Sequence, residues 1–281
     1  ANNDSTGAVS LAGGATSIAD ANALTLDTLD VSSLAATSAG GAITQSGALT
    51  VAGSSVIEAG AGIVTLADAG NDFGGAVNVV ANRVGLRDAN TLTLGTIISG
   101  STVASQADDV ILAVPVRAAG DILVQAGGRF INNYGASALQ SSGGRWLVHL
   151  RSVSGGHQYN GLDSGNTALL DVADPSMVIA TGNRYLFAER PTLTLTTTDR
   201  SKIYGQVADV GDAYTVTGLL QDVAGAYRGH ALGDALTGTP VAGSAGCTPS
   251  LMVPVSFGRR LRGLHRPASV LGRRLRPLRR A

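Results

Sequence analysis

Aromatic residues are scarce: Phe, Trp and Tyr together make up 4% of the 281 residues. A thick globular core takes much of its buried area from these side chains, so the composition favours thin, repeated layers of small aliphatic residues. Cys247 is the only cysteine, which excludes a disulfide within the chain. No run of about 20 apolar residues occurs, so no membrane-spanning helix is expected. The first residues lack both a basic region and an apolar run, and any export signal is expected outside this sequence.

Charge is unevenly distributed along the chain. All 20 acidic residues precede Gly258, whereas nine of the 20 basic residues, all arginines, lie between Arg259 and Arg280. The net charge of zero therefore combines −9 for segment 1–257 with +9 for segment 258–281. Because the mean describes neither part, the two parts are interpreted separately.

An internal repeat is the strongest feature of the sequence. The segment DANALTLDT at 20–28 matches DANTLTLGT at 88–96 at seven of nine positions. The same offset aligns segment 3–28 with segment 71–96 without a gap, and twelve of the aligned positions are identical. Such self-similarity is typical of repeat proteins. The period predicts three coils of roughly 22 residues each, with short strands and turns.

Short runs of alternating apolar and polar residues recur within the repeat. Examples are LTL at 24–26, VTL at 64–66 and LTL at 92–94, each bounded by turn-forming residues. Period-two alternation predicts strands with one buried face, and Gly, Asn, Asp and Ser predict the turns. Abundant glycine and few Glu, Lys or Gln residues argue against helices before residue 150. The repeat favours a solenoid over a sandwich or a barrel.

Several segments resemble a known family. The phrase GNDFGGAV at 70–77, followed by DANTLTL at 88–94, resembles the repeat of filamentous-haemagglutinin-like exoproteins. Later segments resemble, in the same order, the parts that follow such repeat arrays: GGRWLV at 143–148, NGLDSGN at 160–166, GNRYLF at 182–187, PTLTLT at 191–196, KIYG at 202–205, YTVTGL at 214–219 and ALTGT at 235–239. The resemblance covers roughly residues 1–243.

The resemblance implies a right-handed parallel β-helix belonging to a bacterial surface protein that is exported by two-partner secretion. It implies a role in attachment, aggregation or delivery of a toxic tip. The implied partners are glycans or proteins on host-cell or bacterial surfaces, and an outer-membrane secretion partner for the full-length protein. No specific nucleic acid is expected as a partner. The family's amino-terminal secretion domain is not in this sequence, so export is an expectation.

The last segment departs from this pattern after about residue 243. GRRLRGL at 258–264 and GRRLRPL at 272–278 match at six of seven positions. One interpretation is a disordered or abnormal tail, such as the product of out-of-frame translation. The other is a basic arm that binds nucleic acid or anionic lipid. The abrupt change in amino-acid usage favours the first, and Pro267 and Pro277 interrupt any amphipathic helix.

Carboxylates do not form a recognisable catalytic or metal-binding pattern. Asp108 and Asp109 are the only adjacent acids, and they precede an apolar strand, where turn residues belong. Asp20, Asp68 and Asp88 are spread singly and are expected at solvated turns. A polysaccharide lyase or hydrolase needs acids that converge on one face. We therefore expect no enzyme activity, no cofactor and no metal site, although scattered Asp and Asn leave a weak surface calcium site open.

Other chemistry-bearing residues are isolated in the sequence. His149, His157, His230 and His265 lack His or Cys partners at zinc spacing, so packed or surface roles are expected for them. Cys247 has no base nearby in the sequence. The run GAG at 60–62 has no phosphate-loop lysine, since the only lysine of the chain is Lys202.

Three aromatic residues, Tyr134, Trp146 and Tyr159, cluster where the repeat ends. They suit a carbohydrate-binding platform, because aromatic rings offer flat apolar surfaces with polar edges. The favoured interpretation is that they plug the end of the solenoid, where its regular stack meets other structure.

The sequence therefore predicts an all-β chain in four parts. These are a parallel β-helix at 1–145, a β-rich transition at 146–190, a small and incomplete Gly-rich β module at 191–243, and a disordered basic tail at 244–281. The favoured function is a secreted or cell-surface adhesin segment, a rigid repeat stalk that mediates attachment or aggregation. The alternatives are a β-helix polysaccharide-degrading enzyme and a purely structural spacer or biofilm matrix segment. The binding residues are unknown at this stage.

Overall fold

A computed structural model describes residues 3–201, 203, 206, 211–229 and 231, together with the backbone of 241–245 and 248–252. Within these residues the chain is nearly all β, and one short 3-10 helix spans Pro175–Met177. The chain divides into two units, residues 1–189 with 224–227 and residues 190–223 with 228–281.

One sheet of 18 strands builds the first unit. Its strands are β1 (Val9–Asp20), β2 (Leu24–Ser38), β3 (Ile43–Gln45), β4 (Leu49–Val51), β5 (Ser55–Glu58), β6 (Ile63–Leu66), β7 (Asp72–Phe73), β8 (Val77–Ala81), β9 (Arg83–Arg87), β10 (Thr91–Ser99), β11 (Val103–Ala107), β12 (Asp109–Leu112), β13 (Val116–Ala118), β14 (Ile122–Ala126), β15 (Phe130–Asn132), β16 (Leu139–Ser141), β17 (Trp146–Leu150) and β18 (Arg184–Phe187).

The strands pair in parallel from coil to coil and form a β-solenoid of about seven turns. Paired residues on successive coils are 17 to 24 positions apart, from Val9 with Leu26 to Ile122 with Trp146. The last pairing, β17 with β18, joins residues 37 positions apart, such as Leu147 and Arg184. The prediction of an all-β, parallel β-helix is confirmed.

Each coil contributes one short strand to each of three faces. Face 1 contains 24–26 of β2 with β3, β6, β9, β11, β14, β17 and β18. Face 2 contains 29–31 of β2 with β4, β7, 91–94 of β10, β12 and β15. Face 3 contains 34–37 of β2 with β5, β8, 97–99 of β10, β13 and β16.

Inward-pointing aliphatic side chains stack in columns inside the solenoid. On face 1 every member of one column is at most 1% exposed: Leu24, Ile43, Val64, Val84, Val103 and Ile122. Burial of each such side chain contributes about 1.5–3 kcal/mol relative to exposure. The period-two pattern places these residues inward because successive side chains of a strand point to opposite sides.

The internal repeat spans three coils and one further face, so the predicted division of one period into three whole coils is wrong. Leu24 stacks through Ile43 and Val64 on Val84, which lies three coils further along the same face. Leu92, the counterpart of Leu24 in the repeat, pairs with Val110 on face 2. The repeated unit is therefore one strand and the corner beside it. The three faces are similar enough that the same sequence forms a strand on face 1 in one repeat and on face 2 in the next.

Buried aspartates hold equivalent corners of the two repeats. Asp88 accepts hydrogen bonds from the backbone amides of Phe73 and Asn90, both at 2.7 Å. Asp20 makes the same two bonds one repeat earlier, both at 2.9 Å, with Ser5 and Asn22. A carboxylate that accepts hydrogen bonds from two backbone amides satisfies N–H groups that would have no partner where the chain turns between faces. This shared corner explains why the DAN motif recurs.

The solenoid continues beyond residue 145, because β17 and β18 extend face 1 within the first unit. The second unit contains two antiparallel pairs, β19 (Thr194–Thr197) with β20 (Tyr214–Thr217) and β21 (Val241–Ala245) with β22 (Thr248–Met252). β22 lies within the segment predicted as a tail. The arginine-rich remainder, 253–281, lies outside the described residues.

Two glycines allow the coils to approach closely at the corner between faces 3 and 1. A Cβ atom on Gly62 would lie 2.0 Å from the carbonyl oxygen of Gly41. A Cβ atom on Gly41 would in turn lie 2.2 Å from the carbonyl oxygen of Asn22. Both obstacles are backbone atoms of the preceding coil, so a side chain at either position forces the coils apart.

We expect Gly62→Ala to lower the free energy of unfolding by about 1–3 kcal/mol, because the added methyl overpacks a backbone contact. Gly14→Ala is the matched control, since nothing lies within 4 Å of a Cβ atom at Gly14. Urea unfolding followed by circular dichroism at 218 nm measures both variants. Equal midpoints for the two variants would contradict the close stacking at this corner.

Candidate functional site

The adjacent acids Asp108 and Asp109 have different environments. Asp109 Oδ2 accepts hydrogen bonds from Nε (3.0 Å) and Nη2 (2.8 Å) of Arg129, and its Oδ1 accepts from the Arg129 amide at 2.6 Å. Although burial alone would raise the pKa of Asp109, these bonds and the arginine charge hold that pKa below its ordinary value. Asp108 is exposed. Asp109 therefore forms an ion pair with Arg129 of the next coil, and the neighbouring Asp108 is a solvated turn residue.

The isolated acids lie at turns, as predicted, but only one of the three is solvated. Asp68 is exposed and accepts a hydrogen bond from the Gly70 amide at 2.8 Å. Asp20 and Asp88 are buried, so the prediction of a solvated position is wrong for them. Burial, the largest effect, and the charge of Asp72 raise the pKa of Asp88 against the two backbone hydrogen bonds that lower it. The corner bonds explain why these two side chains turn inward.

Metal-binding clusters and membrane-spanning helices are both absent from the described part of the chain. There, no three His, Cys, Asp or Glu side chains are grouped so that they can hold a metal ion. Among the same residues, no helix has the length and apolar character that a membrane span requires. His230, Cys247, His265 and Lys202 lie outside the described residues.

His157 replaces a missing ladder partner at the end of face 2. Its Nδ1 accepts a hydrogen bond from the Phe130 amide at 3.1 Å, and its Nε2 donates to the Ser152 carbonyl at 2.9 Å. Both bonds form only with the neutral ring protonated at Nε2. Burial is the main reason that the pKa of His157 is below its ordinary value, and it outweighs the Ser152 bond and the Asp109 charge.

The second described histidine supports a segment that covers face 1. His149 is half-buried, and its Nε2 lies 2.8 Å from the Val172 carbonyl oxygen. Nearby, Val172 packs with Leu147 and Leu186, which point outward from the sheet but are 6% and 0% exposed. The segment around Val172 therefore converts the outer side of face 1 into a second small core. The predicted packed role of His149 fits this position.

An aromatic cluster closes the solenoid interior at the end formed by β17 and β18. The Tyr185 ring contacts Trp146 and Tyr159 edge to face, with centroids 5.2 and 4.8 Å apart, and Phe130 at 6.3 Å. Burial raises the pKa of both tyrosines. The predicted plug is confirmed for Trp146 and Tyr159. It is wrong for Tyr134, which is 48% exposed and stands apart from the cluster.

Sequence reasoning missed the residue at the centre of this plug. Tyr185 is fully buried, and its hydroxyl donates to the Leu162 carbonyl at 2.8 Å. It lies 39 positions after Trp146, so nothing local links the two. The same holds for Phe187 and Tyr227, whose rings meet edge to face at 6.4 Å.

An exposed apolar strip on face 3 was also missed. Val56, Val80 and Ile98 point outward and are 42%, 39% and 44% exposed. The available signal was an interruption of the period-two pattern: Val79 and Val80 are consecutive, as are Ile97 and Ile98. In each pair one residue faces the core and the other faces solvent. This strip and the aromatic plug both depart from the regular stacking of inward-pointing aliphatic side chains.

Comparison with known proteins identifies a repeat and nothing more specific. A family model described as repeats of unknown function (DUF5649) matches residues 13–80. The matched span is as long as the offset that separates Asp20 from Asp88 in the internal repeat. It covers about a quarter of the chain, from β1 into β8. No curated protein matches the chain. No solved structure matches it either.

The hydrogen bonds of His157 predict a loss of stability in acid. The pKa of His157 is lower in the folded chain than in the unfolded chain. The contribution of neutral His157 to the free energy of unfolding is therefore complete above about pH 6.5, the ordinary pKa of histidine. It is lost as the pH falls below that value and through the folded pKa. Urea unfolding at pH 8 and pH 5 measures the loss.

His157→Ala is expected to remove this pH-dependent component. At pH 8 the variant should be less stable by about 1–3 kcal/mol, because the buried Phe130 amide loses its acceptor. An unchanged pH dependence in the variant would show that His157 is not the group responsible.

The two plug tyrosines form a matched pair for a second test. Tyr185→Phe is expected to cost about 0.5–1.5 kcal/mol, because the Leu162 carbonyl loses its donor. Tyr159→Phe is expected to be neutral or stabilising, since within the described residues its buried hydroxyl has no hydrogen-bond partner. Thermal unfolding compares the variants. A larger loss for Tyr159→Phe would contradict a stabilising role for the hydrogen bond from Tyr185 to Leu162.

Proposed function

We propose that the chain is a segment of a secreted or cell-surface adhesin, in which the solenoid is a rigid stalk that mediates attachment or aggregation. One observation carries the proposal: about seven coils are joined by a parallel ladder that runs without interruption along face 1. With a rise of about 4.8 Å per coil, the ladder extends on the order of 35 Å. Such a structure supplies reach without requiring a thick core.

Three successive coils present the same group on the outer side of the ladder. On face 1 the outward column begins with Thr25, Thr44 and Thr65 on successive coils, and the hydroxyl oxygens of Thr25 and Thr44 lie 3.3 Å apart. A partner that makes one weak contact with such a column can repeat it on the next coil. Many weak contacts on one rigid support produce avidity well above the affinity of each contact.

Export is part of the proposal and rests on the resemblance to filamentous-haemagglutinin-like exoproteins. In this proposal the full-length protein crosses the outer membrane through a secretion partner and is displayed on the surface. Its partners are then glycans or proteins of host cells or neighbouring bacteria. The match of residues 13–80 to a repeat family supports the repeat architecture that a stalk requires.

A polysaccharide-degrading function has less support from the acids of the coils. Asp20 and Asp88 are bound to backbone amides at buried corners, and Asp109 is bound to Arg129. Glycoside hydrolysis commonly requires two free carboxyl groups facing one bond. A structural spacer shares the rigid ladder with an adhesin, so the experiment must distinguish these two roles.

Beads coated with the full chain at several densities test for adhesion to cultured epithelial and bacterial cells. The avidity account predicts that adhesion rises more steeply than linearly with coating density. Beads carrying a chain of the same composition in scrambled order provide the unfolded control, and uncoated beads provide the background. Adhesion no greater than that of the unfolded control at every density would favour the spacer role.

A further inference from the structure

The exposed apolar residues of the coils are concentrated on one face. Of the large hydrophobic side chains exposed within the described residues 3–150, Val56, Val80 and Ile98 lie on face 3, and the remaining one is Tyr134. Single exposed aliphatic residues are normal, but a group on one flat surface indicates a binding surface. Faces 1 and 2 carry no comparable group in the same part of the chain.

Two of these residues belong to a single outward column. The strand register places Thr37, Glu58, Val80, Ile98, Arg117 and Gln140 on six successive coils. The two apolar side chains occupy the middle of the column. Glu58 stands one coil below them and Arg117 one coil above them.

The two charged residues cannot pair within one chain. Glu58 and Arg117 are three coils apart, a separation of about 14 Å at 4.8 Å per coil. The Arg117 Nε atom donates to Gln140 Oε1 at 3.1 Å, and the Arg117 side chain is exposed. Within the described part of the chain, the exposed Glu58 carboxylate makes no ion pair or hydrogen bond. Both charges are therefore available to an external partner.

The order acidic, apolar, apolar, basic is self-complementary. Two copies can place their faces 3 against each other around a two-fold axis that is parallel to face 3 and perpendicular to the coil stack. This axis makes the column of the second copy run in the opposite direction. With the axis midway between Val80 and Ile98, each Val80 faces Ile98 of the other copy. Each Glu58 then faces Arg117 of the other copy, which produces two ion pairs around an apolar centre. Such an isologous contact is the commonest kind in homodimers.

We propose that face 3 is a self-association surface, on which two copies of the chain pack side by side with their coil stacks antiparallel. The alternative with parallel stacks places Glu58 opposite Glu58 and Arg117 opposite Arg117, which repels. Charge order thus selects the orientation, while Val80 and Ile98 supply the apolar contact. Charges commonly set the partner and register of an interface in this way.

The contact is small, so association of free chains should be weak. Six coils span about 24 Å, and a standard interface covers roughly 800 Å² on each partner. Display of many copies on two facing surfaces raises the effective concentration and strengthens such contacts. The proposed contact is thus one between stalks that point toward each other from facing surfaces, and it requires no receptor.

Sedimentation-equilibrium ultracentrifugation of the full chain from about 10 to 500 μM tests the proposal. A reversible monomer–dimer equilibrium is expected. Glu58→Arg and Arg117→Glu should each weaken it roughly tenfold, because each places like charges opposite one another at both ends of the contact. The double variant restores both pairs in reversed order and should associate like the unaltered chain.

Thr50→Arg is the matched control, since it adds a charge to the outer side of face 2 and should leave the equilibrium unchanged. A chain that stays monomeric at all concentrations would overturn the proposal. So would single charge variants that associate as the unaltered chain does, or a double variant that fails to recover. No cell or glycan is present, so this result is independent of the adhesion experiment.

Discussion

Parallel hydrogen bonding between successive coils is the constraint on which the rest of this structure depends. Each strand is too short to be stable alone, and each coil has few side chains to bury. Stacking solves both problems, because every coil bonds to the coils on either side while its aliphatic residues join columns such as that from Leu24 to Ile122. The low aromatic content follows, since columns of Val, Leu, Ile and Ala fill a narrow interior without large rings.

Stacking imposes conditions at the corners and at the end of the solenoid. At the corners, buried Asp20 and Asp88 bind backbone amides, and Gly41 and Gly62 leave room for the neighbouring backbone. At the end formed by β17 and β18 the columns lose their next layer, and the aromatic cluster around Tyr185 fills the space. His157 supplies the acceptor that the next strand would have offered to Phe130. Asp20, Asp88, His157 and Tyr185 thus mark places where regular stacking is interrupted.

Much of this architecture could be predicted from the sequence, because alternation and repetition are local signals. The strands, the all-β class and the parallel coils follow from runs such as LTL at 24–26 and their echo at 92–94. The phase of the repeat could not be predicted, because the three faces use the same kind of strand and corner. For the same reason the sequence did not show that Leu24 and Leu92 lie on different faces.

The residues of greatest functional interest depend on contacts that no local pattern encodes. Tyr185 meets Trp146 only because a long excursion returns to the ladder, and Val80 differs from Val79 only in the side of the strand that it occupies. The burial of Asp20 and Asp88 depends on amides contributed by an earlier coil. Composition indicates a turn at Asp20 and at Asp88, but it does not show which way either side chain points.

The distance between two spin labels, measured by pulsed electron–electron double resonance, tests the stacking of the coils most directly. With Cys247→Ser as the background, labels at Thr25 and Ala104 are four coils apart, and labels at Thr44 and Ala104 are three coils apart. Stacked coils predict Cα separations of about 19 and 14 Å, a difference of one 4.8 Å step. Separations beyond about 30 Å, or a longer distance for the Thr44 pair, would contradict a continuous ladder.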